Sequence, residues 1–391
     1  MQAWQVFLIF LKLGATSFGG PMAHLGFYRE EFVRRRQWLD EQHYADIVAL
    51  CQFLPGAASS QVGMAIGLGR AGLAGALAAW VGFTLPSAVL MILLGIGLKT
   101  YAAWVPVGAV HGLKLVTVAV VAQAMWGMAR NFCTDAMRIA LALAVTVALL
   151  GVPGQWTALG VLLLAGLIGA LAIKPPPDTQ HVPLPARISR RMALLLLMIG
   201  VALLAALPIA AQLTASPTLA MVDAFYRIGA LVFGGGHVVL PMLQAATVQL
   251  GWIGNDQFLA GYGLTQAMPG PLFTFSAFLG AAMQVGPGGA IGGVLALLAL
   301  FLPSGLLVCA AMPFWAQLGG HRPTRAALAG VNAAVVGLLL AALVRPVASD
   351  ALHNGIDVLL AVFAYLALNR RVPPWLVVIG GAVAGAALSL L

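Results

Sequence analysis

Two short stretches of this chain put polar side chains on a backbone that cannot stay helical. Gln52–Gln61 reads QFLPGAASSQ and Gln266–Ser276 reads QAMPGPLFTFS, each inside an apolar run. Proline removes a backbone donor and glycine relaxes the backbone, so each Pro-Gly pair predicts a break. Two more breaks are expected at Gly19-Gly20-Pro21 and Gly234-Gly235-Gly236. A helix that restarts after a break directs unpaired N–H groups, and the positive end of its dipole, at whatever lies in front of it. That arrangement binds anions. The restarts fall near Pro21, Ala57, Gly236 and Pro271, with Pro55, Gly56, Pro269 and Gly270 forming the turns. Gln52, Ser59, Ser60 and Gln61 add neutral donors in the first half; Gln266, Thr274 and Ser276 add them in the second. Neutral donors suit a tetrahedral oxyanion that must be released again. The competing reading is polar residues that only pack helix against helix.

Charged residues near these breaks are few. Lys12 and Arg227 each precede the first glycine of a Gly-Gly pair by seven residues. A cation in an apolar segment is costly and usually functional, so the pair is expected to balance a dianion, with snorkelling to an interface as the alternative. His24, His237 and Asp46 are the candidates for carrying a coupling proton. Arg29-Glu30-Glu31 and Arg34–Arg36 read first as a solvated anchor. No GxSxG, HExxH or Walker sequence occurs, and Cys51, Cys133 and Cys309 are far apart in sequence. The sequence therefore points to no enzyme, no cofactor, no thiolate metal site and no disulfide framework.

The elements that must hold these residues are membrane segments. Of 391 residues, 61% are hydrophobic and 8% charged, against roughly 25% charged in soluble domains. The runs are rich in Ala, Leu and Gly without two-residue alternation, which predicts helices and not a membrane barrel. The net charge of +9 belongs to loops, and no basic stripe suited to nucleic acid is present. Apolar segments lie near 4–18, 44–69, 72–98, 105–129, 137–151 and 155–173, then 192–212, then 218–234, 257–280, 288–315, 325–344, 355–368 and 374–391. Lys174–Arg191, with five prolines and four basic residues, reads as a linker.

The two sets of six segments match in detail. Phe18-Gly19-Gly20 aligns with Phe233-Gly234-Gly235 at an offset of 215; Trp38, Gln52, Pro55 and Gly56 align with Trp252, Gln266, Pro269 and Gly270 at 214; Leu85-Pro86-Ser87 aligns with Leu302-Pro303-Ser304 at 217. Repeats with broken segments in corresponding places are the mark of a secondary transporter. We therefore expect an N-terminal repeat over 1–173, a linker plus connecting transmembrane helix over 174–217, and a C-terminal repeat over 218–391.

Charge indicates the topology. An arm such as 4–18 spans only about 22 Å, short of the roughly 30 Å hydrocarbon core. Residues 4–36 and 43–69 are therefore expected to be re-entrant hairpins, with the remaining four segments of each repeat crossing. Of the 20 Lys and Arg, Lys12, Lys114 and Arg227 lie within segments, Lys99 and Arg345 fall on one face, and the other fifteen fall opposite. With one linking helix between them the repeats become inverted. Thirteen plain spans with proline kinks is the competing topology.

FGGPMAHLGFYREEFVRRRQWL, CQFLPGAASSQVGMAIG and FTLPSA resemble the N-terminal half of the chromate ion transporter family. FGGGHVVLPML and FLAGYGLTQAMPGPLFTFSAFLG resemble its C-terminal half. The resemblance implies an all-α polytopic protein of the bacterial inner membrane that exports chromate, driven by the proton-motive force. Protons, lipid and chromate are the partners it implies; a homodimer is compatible with it. Sulfate, an isosteric oxyanion, is the alternative substrate, and a channel or a membrane-embedded enzyme is the alternative class. One departure is local: Pro55-Gly56-Ala57 stands where Pro-Gly-Pro is typical, so Ala57 regains an N–H.

Overall fold

The structure, a computed structural model, describes residues 2–101, 106–152, 155–174, 183–233, 238–318, 321–370 and 372–389. Among these residues the chain is helical without a strand. The first repeat gives α1 (Ala3–Thr16), α2 (Gly20–Tyr28) running into a π-helical turn (Arg29–Arg35), α3 (Glu41–Phe53), α4 (Ala58–Thr100), α5 (Val107–Phe132), α6 (Ala136–Gly151) and α7 (Gln155–Ala172). The connecting helix is α8 (Arg190–Thr214). The second repeat gives α9 (Pro217–Leu231), α10 (Val239–Thr247), α11 (Asn255–Gln266), α12 (Phe275–Ala282), α13 (Gly289–Ala311), α14 (Trp315–Leu318), α15 (Arg322–Ala342), α16 (Gly355–Asn369) and α17 (Pro374–Leu388).

Local chemistry sets the ends of these helices. Asp40, Asp135, Ser189 and Ser216 each accept from a backbone N–H in the first turn of α3, α6, α8 and α9, satisfying donors that have no partner within the helix. Gly19, at φ +100, begins α2 with Pro21 in its first turn. The long helix α4 is kinked at Ala71-Gly72 (φ +64 at Gly72), so the arm 58–70 is separate from the stretch 73–100. The predicted breaks between 4–18 and the following arm, and at Pro55-Gly56 and Pro269-Gly270, are therefore all present. Five helical stretches are long and apolar enough to cross a bilayer: Ala58–Thr100, Val107–Phe132, Arg190–Thr214, Gly289–Gln317 and Arg322–Ala348. The last two helices of each repeat, which we expected to cross, are shorter. At 15 to 18 residues they span only about 22–27 Å.

The chain divides into two compact units, and each draws on both repeats. The first comprises Met1–Gly95, Pro177–Gly236 and Pro269–His321; the second comprises Ile96–Pro176, His237–Met268 and Arg322–Leu391. Compactness thus does not follow the repeat boundaries at 173 and 218.

In the first unit each repeat makes the same close contact within itself. A Cβ on Gly14 would lie 2.8 Å from the carbonyl carbon of Phe83, and one on Gly229 2.9 Å from that of Leu300. These are equivalent positions, so the same bare-backbone approach occurs once in each repeat. The connecting helix α8 packs on α9 and α13, and only 6% of its most apolar window is buried, as suits a helix facing lipid. In the second unit α5 packs against α17 and α15 against α7, which are again corresponding pairs. Gly112 meets Gly381 there, and Gly330 meets Gly169; a Cβ on Gly112 would lie 2.8 Å from the Gly381 carbonyl carbon, and one on Gly330 2.8 Å from the Gly169 Cα. Small residues that let backbones touch are how helices associate without a hydrophobic driving force.

Candidate functional site

The polar breaks converge in the first unit through two matched backbone bonds. Gly56 N–H donates to the Val232 carbonyl at 2.7 Å, and Gly270 N–H donates to the Ser17 carbonyl at 2.9 Å. Val232 and Ser17 correspond at the offset of 215, and Gly270 and Gly56 at 214. Each Pro-Gly tip is therefore pinned by the broken helix of the other repeat. Both glycines sit at positive φ, +122 and +89. A Cβ on Gly56 would come 2.9 Å from the Ser304 Cβ, and one on Gly270 2.8 Å from the Ser87 Oγ. Ser87 and Ser304 are the paired serines of the Leu-Pro-Ser motif. The strained turn and the tight approach both require glycine.

These bonds correct part of the expected donor set. Ala57, which departs from Pro-Gly-Pro, uses its N–H on the Ser304 Oγ at 3.1 Å. Gln61 donates its Nε2 to the Pro55 carbonyl (2.8 Å) and the Ser304 carbonyl (3.3 Å). The amides of Gly56, Ala57 and Gly270 are thus engaged within the protein. Thr274 Oγ1 donates to the Pro271 carbonyl and Ser276 Oγ to the Phe273 carbonyl, both at 2.8 Å, because hydroxyls beside a break satisfy nearby backbone first. The first bond of α4 runs from Gln61 N–H to the Ala57 carbonyl. The N–H groups of Ala58, Ser59 and Ser60 therefore precede the helical ladder.

Around this first turn of α4 lies a buried polar set. His24 is fully buried, its Nδ1 is 3.4 Å from the Ser59 Oγ, and its ring stands edge-on to Phe83 at 5.1 Å. Tyr28 packs on the same Phe83 at 5.3 Å, and its hydroxyl lies 3.3 Å from where a Cβ on Gly63 would be. The Oγ of Ser17 and Ser60, the Tyr28 hydroxyl, the Gln61 Oε1 and the Thr84 Oγ1 are all buried without a hydrogen-bond partner. The His24 Nε2 makes no well-formed bond either. Unpartnered buried polar atoms are rare and require an explanation.

The remaining predicted residues are placed as follows. Gly19 is exposed; Gly20, Pro21 and Pro55 are half-buried; Pro269 and Pro271 are buried. Gln52 is exposed. Gln266 is half-buried in the second unit, where it bonds Tyr262. Asp46 is buried and accepts from the Trp315 Nε1 at 3.3 Å. Lys12 is exposed. Arg227 carries its own counter-ion, since its guanidinium meets Asp223, one turn earlier, at 2.5 Å. That pairing weakens the expected balance of a dianion by two cations, because a neutralised guanidinium supplies little charge. Gly234, Gly235, Gly236 and His237 lie outside the described residues.

Sequence reasoning missed Asp223, Ser304 and Tyr28. Asp223 was detectable as an acid four residues before a base. Ser304 was visible only as half of a repeated motif, and Tyr28 gave no signal.

The basic arm after α2 is a solvated surface. Arg34 pairs with Glu30, Arg35 and Arg36 with Glu31, and Arg29 with Glu41. The Arg29 guanidinium holds the Glu41 carboxyl below the usual carboxylate range. Phe32 alone turns inward from this arm, stacked between Phe10 and Trp38.

Comparison with known proteins follows the same repeats. A family model described as chromate transporter matches residues 4–170 and again 219–386. The chain is similar to a chromate transport protein of Pseudomonas aeruginosa, 28% identical over 86% of this chain and 79% of that protein. It is also similar to a probable chromate transport protein of Synechococcus elongatus, 27% identical over 96% and 93%. A chromate transport protein of Cupriavidus metallidurans is 24% identical over 87% and 81%. No solved structure matches the chain.

Proposed function

The chain belongs to the chromate transporter family, and from that premise we propose that it exports chromate across the bacterial inner membrane, driven by the proton-motive force. The family is one of multi-pass membrane transporters. The observation that carries the finer reading is the buried polar set around the first turn of α4. There the N–H groups of Ala58–Ser60 and the Ser60 hydroxyl supply neutral donors at the positive end of a helix. Such donors complement a tetrahedral dianion without binding it as tightly as a salt bridge would. His24, hydrogen-bonded to Ser59 and lacking a well-formed bond at Nε2, is the proton-coupling group this geometry favours. Arg227, already paired, and Lys12, exposed, become secondary.

The reciprocal bonds at Gly56 and Gly270 support an inverted pair of repeats, since two equivalent tips anchored in each other's repeat suit alternating access. The fifteen basic loop residues then face the cytoplasm.

The test is uptake of labelled chromate into everted vesicles. Ser60→Ala and His24→Gln should each lower uptake at least tenfold while leaving the protein in the membrane. Sulfate in excess should compete, since it presents the same four oxygens. Uptake that runs equally with the pH gradient collapsed would sink the proton-coupled reading. Unchanged uptake in both variants would move the site away from α4.

A further inference from the structure

The second unit holds a cluster that the transport reading does not use. Asp357, in the first turn of α16, is buried, with side-chain exposure of 5%. One of its oxygens, Oδ2, accepts from the backbone N–H groups of His353 (2.9 Å) and Asn354 (3.2 Å). Asn354 in turn accepts from the Asp357 N–H at 3.0 Å, closing a capping box. The other oxygen, Oδ1, lies 2.8 Å from the Nε2 of His111, in the first turns of α5. The His353 Nδ1 is 3.9 Å from Oδ2, and the two imidazole rings are 5.7 Å apart. Ligand atoms from all three residues fall within 4.8 Å of one another.

We propose that His111, His353 and Asp357 form a binding site for a divalent transition-metal ion, with zinc the natural occupant. Two imidazoles and one carboxylate are a donor set that such ions take and that magnesium and calcium do not favour. Bonds of about 2.0–2.1 Å to zinc put tetrahedral ligands about 3.4 Å apart. The His111 Nε2 lies 2.8 Å from Oδ1, the His353 Nδ1 lies 3.9 Å from Oδ2, and one donor atom from each residue falls within 4.8 Å of the others, so modest side-chain rotations bring the three to a common ion. On binding, the His111 Nε2 gives up its hydrogen bond to Asp357 and the neutral ring carries its proton on Nδ1.

The surroundings agree in charge and in shape. His111 and Asp357 line a cavity of about 610 Å³ with Lys114, Asp256 and Asn354. Lys114 pairs with Asp256 at 2.9 Å, so these two charges cancel and Asp357 leaves the cavity negative. The two Oδ2 bonds fix the carboxylate with Oδ1 turned to the ion, the outer-shell support that metal ligands require. Three protein ligands leave a fourth position open to the cavity. The positive end of α16 opposes a cation, a modest cost that the carboxylate ligand offsets. By the charge-based topology, the first turns of α5 and α16 lie on the face of Lys99 and Arg345, away from the cytoplasm. The ion is therefore drawn from outside, and it joins a helix of the first repeat to one of the second.

The test uses the full chain, purified in detergent without a polyhistidine tag, stripped with EDTA and titrated with zinc against a chromophoric chelator. One zinc per chain is expected. Affinity should fall by roughly 10–100-fold or more in His111→Ala and in His353→Ala, and stay unchanged in His43→Ala, whose half-buried imidazole is paired with Asp40. No bound zinc in the native chain, or equal binding in both ligand variants, overturns the site. Should the variants fold poorly, cobalt on the native chain decides the matter. Intense visible absorption of a four- or five-coordinate ion supports the site, and the weak spectrum of the aqueous ion overturns it.

Discussion

The pinned Pro-Gly tips make a quantitative prediction through Gly56 and Ser304. Gly56→Ala places a β-carbon on a residue at φ +122, in contact with the Ser304 Oγ and 2.9 Å from both the Ser304 Cβ and the Gln61 Nε2. Backbone strain of this kind costs about 1–3 kcal/mol, and overpacking a tight site costs about 1–3 kcal/mol more. The single variant should therefore lose about 2–6 kcal/mol. Ser304→Ala removes the acceptor of the Ala57 N–H and leaves a buried donor unpaired, worth about 1–3 kcal/mol. In the double variant the clash with Oγ is gone while the φ strain remains. The two losses should then fall short of their sum by about 1 kcal/mol or more, as for residues in direct contact. The measurement is a thermal-unfolding cycle in detergent over the four proteins, with Gly26→Ala as control. Gly26 is an exposed helical glycine with nothing within 4 Å of its added Cβ, so that variant should be neutral or stabilised by up to about 1 kcal/mol. Additivity within about 0.3–0.5 kcal/mol, or equal damage from Gly26→Ala, would refute the reasoning.

Two other outcomes follow from the ion pairs. Arg227→Ala leaves the buried Asp223 without its guanidinium and should cost about 3–5 kcal/mol. Asp223→Asn combined with Arg227→Gln should recover most of that in the same unfolding assay, and no recovery would show that Arg227 acts elsewhere. Glu41→Gln cuts a pair whose two side chains are both about half exposed, so the melting temperature at pH 7 should hardly move. The Glu41 carboxyl titrates below its ordinary value because of Arg29. Its contribution is therefore present at neutral pH and is lost as pH falls through that lowered value. Any difference between the wild type and Glu41→Gln should vanish at the acid end of a pH series.

How much of this was legible varies with the range of the interaction. The breaks were readable because Pro and Gly act locally: Gly19-Gly20-Pro21, Pro55-Gly56 and Pro269-Gly270 interrupt helices where their backbone preferences require. The duplication was readable because the breakers recur at offsets of 214 to 217. Which donors remain free was not readable, since that depends on partners in the other repeat. Ala57 was expected to offer its N–H to a ligand, but Ser304, 247 residues later, accepts it. The cluster of His111 with Asp357 joins residues 246 apart, and the one local spacing in it, His353 four residues before Asp357, gives no metal signal without the distant third ligand. Arg227 is the instructive miss. Its counter-ion is four residues away, but the match to Lys12 drew attention to the repeat and away from the local helix.

That same comparison of repeats separates what the two halves do. Their backbones are equivalent at the tips, with the same glycines, the same crossed amide bonds and the same close approaches. Their side chains are not. Among the described residues of the first unit, the buried side-chain atoms without a well-formed hydrogen bond belong mostly to the first repeat, to Ser17, His24, Tyr28, Ser60, Gln61, Trp80 and Thr84; in the second repeat they belong to the Asp223–Arg227 ion pair. At the offsets that align the motifs, Ser17 corresponds to Val232, Gln61 to Phe275 and Thr84 to Phe301. Ser60 corresponds to Thr274, whose hydroxyl is tied to the Pro271 carbonyl. An offset of 214 or 215 sets His24 and Tyr28 against valine and against methionine or leucine. Buried polar atoms without partners are costly, so a duplicated pair that kept them for packing alone would have no reason to load them into one copy. On the proposed reading, backbone symmetry serves the exchange of contacts between repeats, and the polar chemistry belongs to the first repeat, around α4. If the proposed alternating access holds, its two states are related in shape but unequal in energy, because the tip of the first repeat carries most of the groups that a polar ligand would satisfy.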